Sequence, residues 1–80
     1  MPIPESVAHY LKQAHHMSPE ELIKALSQLV QTDNLHNLPT STTDALRLQL
    51  DADDANADLF YSPDIAADIH HLTRTIFLKL

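Results

Sequence analysis

Residues 44–62 read Asp44-Ala45-Leu46-Arg47-Leu48-Gln49-Leu50-Asp51-Ala52-Asp53-Asp54-Ala55-Asn56-Ala57-Asp58-Leu59-Phe60-Tyr61-Ser62, and the fold turns on their conformation. Leu46, Leu48 and Leu50 alternate with Arg47, Gln49 and Asp51, which is the period of a half-buried strand. Residue type argues the other way. No β-branched residue occurs between Asp44 and Ser62, and Ala, Leu and Gln favour helix. The reading adopted is a helix over residues 42–52, with an extended segment or hairpin across residues 45–61 as the alternative. On a helix Leu46 and Leu50 share the core face, and Leu48 points elsewhere, toward a partner. Residues 51–58 carry Asp51, Asp53, Asp54 and Asp58 with no basic residue, and are expected to be a solvated loop. Leu59, Phe60 and Tyr61 would anchor its end.

Working outward, the C-terminal side begins with Ser62 as N-cap and Pro63 at the first helical position. Asp64 and Asp68 suit the positive end of a helix over residues 63–79, and Arg74 and Lys79 the negative end. Ile65, Ile69, Leu72, Ile76 and Leu80 form its buried stripe. Phe77 and Leu78 lie off that stripe and are candidates for docking on another chain. On the N-terminal side, residues 32–41 read as a loop pinned by Leu35 and Leu38. Ser41 with Asp44 three residues on predicts a capped helix start near residue 42. Upstream, Ser18, Pro19 and Glu21 form a capping box for a helix over residues 18–31. Leu22, Ile23, Ala25, Leu26, Leu29 and Val30 make its apolar face. A first helix over residues 4–16 places Ile3, Val7, Tyr10, Leu11, Ala14 and Met17 on one stripe. The expected fold is therefore an all-α, four-helix domain occupying residues 1–80.

The chain of 80 residues contains no glycine and no cysteine. Phosphate loops, dinucleotide-binding turns and nucleophile elbows need glycine where backbone must approach a ligand or turn sharply. Disulfides, thiolate zinc sites and thiol catalysis need cysteine. Without glycine, Asn34 is the residue best suited to a left-handed cap after the second helix. The segment Met1-Pro2-Ile3-Pro4-Glu5 lacks the pattern of a signal peptide, and no apolar run reaches membrane-spanning length. A cytoplasmic protein with no membrane association is expected.

Eleven acidic and five basic side chains give a net charge of -6. That charge opposes direct binding to nucleic acid, which relies on Lys and Arg. It also points to a basic partner. Protonation of the six histidines would bring the charge to about 0, so mild acid changes the surface strongly. A helix-turn-helix over residues 19–31 and 42–52 fails on its long connection and on Arg47 as the lone basic residue of the second helix. An acyl carrier needs serine in an Asp-Ser-Leu context, which the chain lacks.

Asp64, Asp68 and His71 share one helix face, and Asp54-x-Asn56-x-Asp58 matches the start of a calcium loop. The first set lacks a further ligand. The second has Leu59 where glycine is required and Ile65 where a bidentate glutamate is required. No metal site or cofactor is assigned, and no serine, histidine and aspartate set is assigned as catalytic. The segment Asp58-Leu59-Phe60-Tyr61-Ser62-Pro63 is similar to the Asp-Leu-Ile-Tyr-Tyr-Pro segment of nuclease-colicin immunity proteins, which are small, acidic, four-helix inhibitors. The similarity covers six residues. Ser62 replaces the second tyrosine, and the flanking lengths differ.

These readings converge on a non-enzymatic interaction module, an acidic adaptor or inhibitor of a basic protein. Its expected contacts are Leu48, Phe60, Tyr61, Phe77 and Leu78, ringed by Asp51, Asp53, Asp54 and Asp58. The alternatives are a homo-oligomer formed through the last helix, or a metal- or pH-responsive sensor built on the histidines.

Overall fold

In a computed structural model the chain forms helices α1 (Glu5–Gln13), α2 (Pro19–Val30), α3 (Thr40–Phe60) and α4 (Pro63–Phe77). Short 3-10 turns, Ala14–His16 and Leu35–Asn37, follow α1 and precede α3. The structure describes residues 3–80; Met1 and Pro2, part of the N-terminal reading above, lie outside them. Among the described residues there is no strand, and the domain is the small all-α four-helix fold that the periodicity predicts.

The capping signals at 18 and 62 act as read. Ser18 Oγ accepts from Glu21 N–H at 3.2 Å, and Glu21 Oε1 accepts from Ser18 N–H at 3.0 Å. Ser62 Oγ accepts from Ile65 N–H at 3.5 Å. Asn34 has φ 63° and ψ 28°, the one positive φ among the described residues. Asn34 does not end α2, whose C-cap is Gln31 in right-handed geometry (φ -87°, ψ -6°); it stands at the entry to the Leu35–Asn37 turn, where an amide side chain tolerates the left-handed conformation better than most.

The third segment departs from expectation in length. It is one helix of 21 residues over Thr40–Phe60, where the sequence suggested residues 42–52 followed by a loop. Neither strand nor hairpin forms across residues 45–61. The helix starts from Pro39, whose carbonyl accepts from Thr43 N–H at 3.0 Å, and Ser41 makes no capping bond because it already lies in the first turn. The acidic stretch stays helical for two reasons. Ala52, Ala55 and Ala57 carry the highest helix propensity. Ala57 is also fully buried, and Asp53 and Asp54 find hydrogen-bond partners on neighbouring helices. The helix stops at Tyr61, where Pro63 holds the preceding Ser62 extended at ψ 158°.

The tight Tyr61–Ser62 link folds α4 back along α3, and these two helices form the largest interface, followed by α2 with α4. The core contains Val7, Tyr10, Leu26, Leu29, Leu35, Leu46, Leu50, Ile69 and Ile76, with Thr73 as a buried polar residue. Ile65, Leu72 and Leu80 from the predicted α4 stripe are half-buried at its margin, and Ile3 at the head of the first stripe is exposed. At about 1.5 Å per residue α3 spans roughly 32 Å. The longest dimension of the molecule is 38 Å, so one helix runs most of its length.

Candidate protein-binding face

Because α3 is a single helix, the directions of its side chains follow from about 100° per residue. Leu46, Leu50 and Ala57 point into the core. Leu48 points away and is 74% exposed; Leu59, three turns on, points the same way and is 76% exposed. Ala45, Ala52 and Ala55 fall with them in one sector of roughly 80°, and all three are exposed. Asp44, Asp51 and Asp58 line one border of this sector, and all three are exposed. The outer face of α3 is thus an apolar strip with an acidic edge. Beside it, Asp44, Arg47, Leu48, Asp51 and Phe77 line a shallow depression where the end of α4 meets α3.

The structure brings some of the predicted contacts together and separates others. Leu48, Asp51 and Phe77 share that depression, and Asp58 continues its edge. Phe60 is 71% exposed but lies about 120° around the helix from Leu48. Leu78, the residue just past the end of α4, is 90% exposed and lies in a separate depression with Asn34, Leu35, His36 and Leu80. Tyr61 and Phe77 are half-buried and pack on the core margin. Asp53 and Asp54 do not ring the patch; they turn inward to other helices. Ala45, Ala52, Ala55, Leu59 and Asp44 join the face although the sequence reading did not place them there. Their signal is the 3-4 spacing of apolar residues from 45 to 59, which the aspartates at 51, 53, 54 and 58 mask.

The inward acids are held differently. Asp53 accepts from the buried Tyr10 hydroxyl, and from Gln49 Nε2 at 3.1 Å. Burial pushes the Asp53 carboxyl up; the Tyr10 and Gln49 bonds and the nearby His15 charge offset only part of this, so it stays above its ordinary value. Burial, the bond to Asp53 and the Asp53 charge all drive the Tyr10 phenol well above its ordinary value. Asp54 sits on the α3–α4 interface. His70 Nδ1 lies 2.6 Å from Asp54 Oδ1, His70 Nε2 lies 3.0 Å from Asp58 Oδ1, and Thr73 Oγ1 lies 3.0 Å from Asp54 Oδ1. An imidazole facing two carboxylates must carry both protons to donate twice, so this geometry belongs to the imidazolium. The Asp54 and Asp58 bonds accordingly raise the His70 pKa, against a smaller opposing effect of burial. Burial acts to raise Asp54, but the His70 and Thr73 bonds with the charges of His70 and Arg74 outweigh it and hold the carboxyl below its ordinary value.

Asp64, Asp68 and His71 are exposed on α4, and among the described residues no group of three or more His, Asp or Glu is arranged to hold a metal ion. Asp54, Asn56 and Asp58 lie on a helix, where alternate residues diverge by about 160°, so they do not form a calcium loop. Among the described residues no helix is long and apolar enough to cross a membrane. Compared with known protein families, with curated proteins and with solved structures, the chain shows no match.

Proposed function

We propose that the chain is a non-enzymatic protein-interaction module, an acidic helical adaptor or inhibitor whose partner is a basic protein. One observation carries this reading. Leu48 and Leu59 stand exposed on the outer face of a helix whose inner face already fills the core, and the exposed Asp44, Asp51 and Asp58 run alongside them. Among the described residues, Asp44 and Asp51 have no ion-pair partner within 4.0 Å. Large apolar side chains beside unpaired carboxylates favour a partner that supplies both apolar surface and Lys or Arg. The net charge of -6 adds long-range attraction that speeds encounter with such a partner. A toxin, a nuclease or a nucleic-acid-binding protein has the required charge.

The test is affinity capture from the native host with identification of the recovered chain, followed by titration of the two purified proteins across a salt series. A basic protein binding one to one, with affinity falling as salt rises, is the expected result. Recovery of no protein, or of an acidic one insensitive to salt, would remove the reading. Sedimentation of the chain alone at micromolar concentration addresses self-association; a stable oligomer there would favour the homo-oligomeric alternative.

A further inference from the structure

We infer that the outer face of α3 is a seam for one partner helix, an amphipathic α-helix with a row of Lys or Arg along one side. This rests on the basic-partner reading above and specifies the surface and the shape of what docks on it. Ala45, Leu48, Ala52, Ala55 and Leu59 follow the alternating 3-4 spacing by which one helix presents a continuous seam to another. All five are exposed. Leucine at two of these positions supplies knobs, and alanine at three lets a second helix approach at the short end of the 8–10 Å range of interaxial distance. The seam covers about four turns, roughly 21 Å, matching a partner helix of similar length.

Charge selects the occupant. Asp44, Asp51 and Asp58 recur every seven residues, in step with the seam, so the same edge is acidic along its whole length. Arg47 is the one cation on that side of α3, and the opposite edge presents the neutral Gln49 and Asn56. Asp58 is bonded to His70 on one oxygen, yet its side chain is 72% exposed and open to a further donor. A second copy of this chain fits poorly. Antiparallel pairing would set the aspartate row against itself, and parallel pairing would set it against Gln49 and Asn56 with no cation to meet it. Two copies would also each bring a charge of -6. A helix with basic residues every three to four positions beside an apolar stripe answers both the seam and its edge.

The experiment uses the intact chain and three synthetic peptides of 21 residues. One has Leu and Ala on a seam flanked by Lys; the second replaces Lys by Glu; the third carries a central Pro that breaks the helix. Calorimetry and backbone amide NMR shifts read the binding. The lysine peptide is expected to bind, with shifts concentrated on residues 44–59 and at least tenfold weaker binding by the glutamate and proline peptides. Leu48→Glu, at a site remote from the core, is expected to weaken binding at least tenfold while leaving the melting curve in place. Absence of binding by the lysine peptide overturns the seam. Shifts centred on Phe60 or Leu78, or equal binding by the proline peptide, overturn the helix seam yet leave a basic partner standing. Self-association abolished by Leu48→Glu overturns it in favour of a second copy. If the native basic partner binds the Leu48→Glu chain undiminished, the seam fails while the wider reading survives.

Discussion

His70 reaches across the α3–α4 interface to place Nδ1 2.6 Å from Asp54 Oδ1, the same oxygen that lies 3.0 Å from the Thr73 hydroxyl. Thr73 is fully buried, so a titrating histidine is linked to the core through the shared Asp54 carboxylate. The folded state raises the His70 pKa above its ordinary value of 6.5. The stability it contributes is therefore complete below about pH 6.5 and is lost as pH rises through the folded value. Asp54 is shifted down from 3.8, so its share is complete above that value and is lost as pH falls through the lowered one. Melting temperature is expected to fall as pH rises above about 6.5 in the natural chain. In His70→Gln that part of the fall should vanish. An unchanged pH profile in the variant would show that the bridge contributes nothing.

Asp53 behaves with the opposite sign. Its folded pKa is raised above 3.8, so ionising it costs the folded state as pH climbs from 3.8 through the folded value. Tyr10→Phe removes the buried hydroxyl that donates to it and leaves Gln49 as the remaining donor. The expected loss is about 1–3 kcal/mol in urea denaturation. Asp53→Asn keeps an acceptor for Tyr10 and removes the buried charge, so it should cost less than Tyr10→Phe.

Leu48 and Leu50 are two residues apart in sequence and opposite in role. Leu50→Ala empties a fully buried site and is expected to cost about 2–5 kcal/mol, a large part of the stability of a small domain. Leu48→Ala is expected to change stability by less than about 0.5 kcal/mol. Urea midpoints compared side by side test the two-faced helix; similar losses at both positions would contradict it.

Asn34 carries the turn that glycine would usually make. Asn34→Gly should be neutral or slightly stabilising. Asn34→Val, with a branched side chain in a left-handed conformation, should cost about 1–2 kcal/mol. Thermal unfolding of the pair distinguishes a required backbone geometry from a required amide.

Much of the fold was legible because it is written in local chemistry. Ser18-Pro19 and Ser62-Pro63 mark helix starts by bonds made within one turn, and Asn34 marks the left-handed position of the α2–α3 connection by its own backbone tolerance. The length of α3 was not legible. Residues 51–58 look like a loop because aspartate is a poor helix former and no cation is nearby in sequence. What holds them helical is distant: Tyr10 is 43 positions from Asp53, and His70 is 16 from Asp54. The same distance hides the inward role of Asp53 and Asp54. Nothing in the sequence says that an acid on an apparent loop points inward to a tyrosine or histidine on another helix. The strand-like alternation of Leu46, Leu48 and Leu50 has a structural cause too. It arises because α3 has two apolar faces, one for the core and one outside.

That double use binds the two faces of α3 to each other in phase. Adding or deleting one residue between Leu46 and Leu50 would rotate everything beyond it by about 100°, carrying Leu50 and Ala57 out of the core along with any change to the outer strip. Substitution can alter the outer strip position by position, but a length change cannot alter it alone. The helix therefore works as a ruler whose spacing is set by the interior, and a partner reading its outer marks inherits that fixed scale.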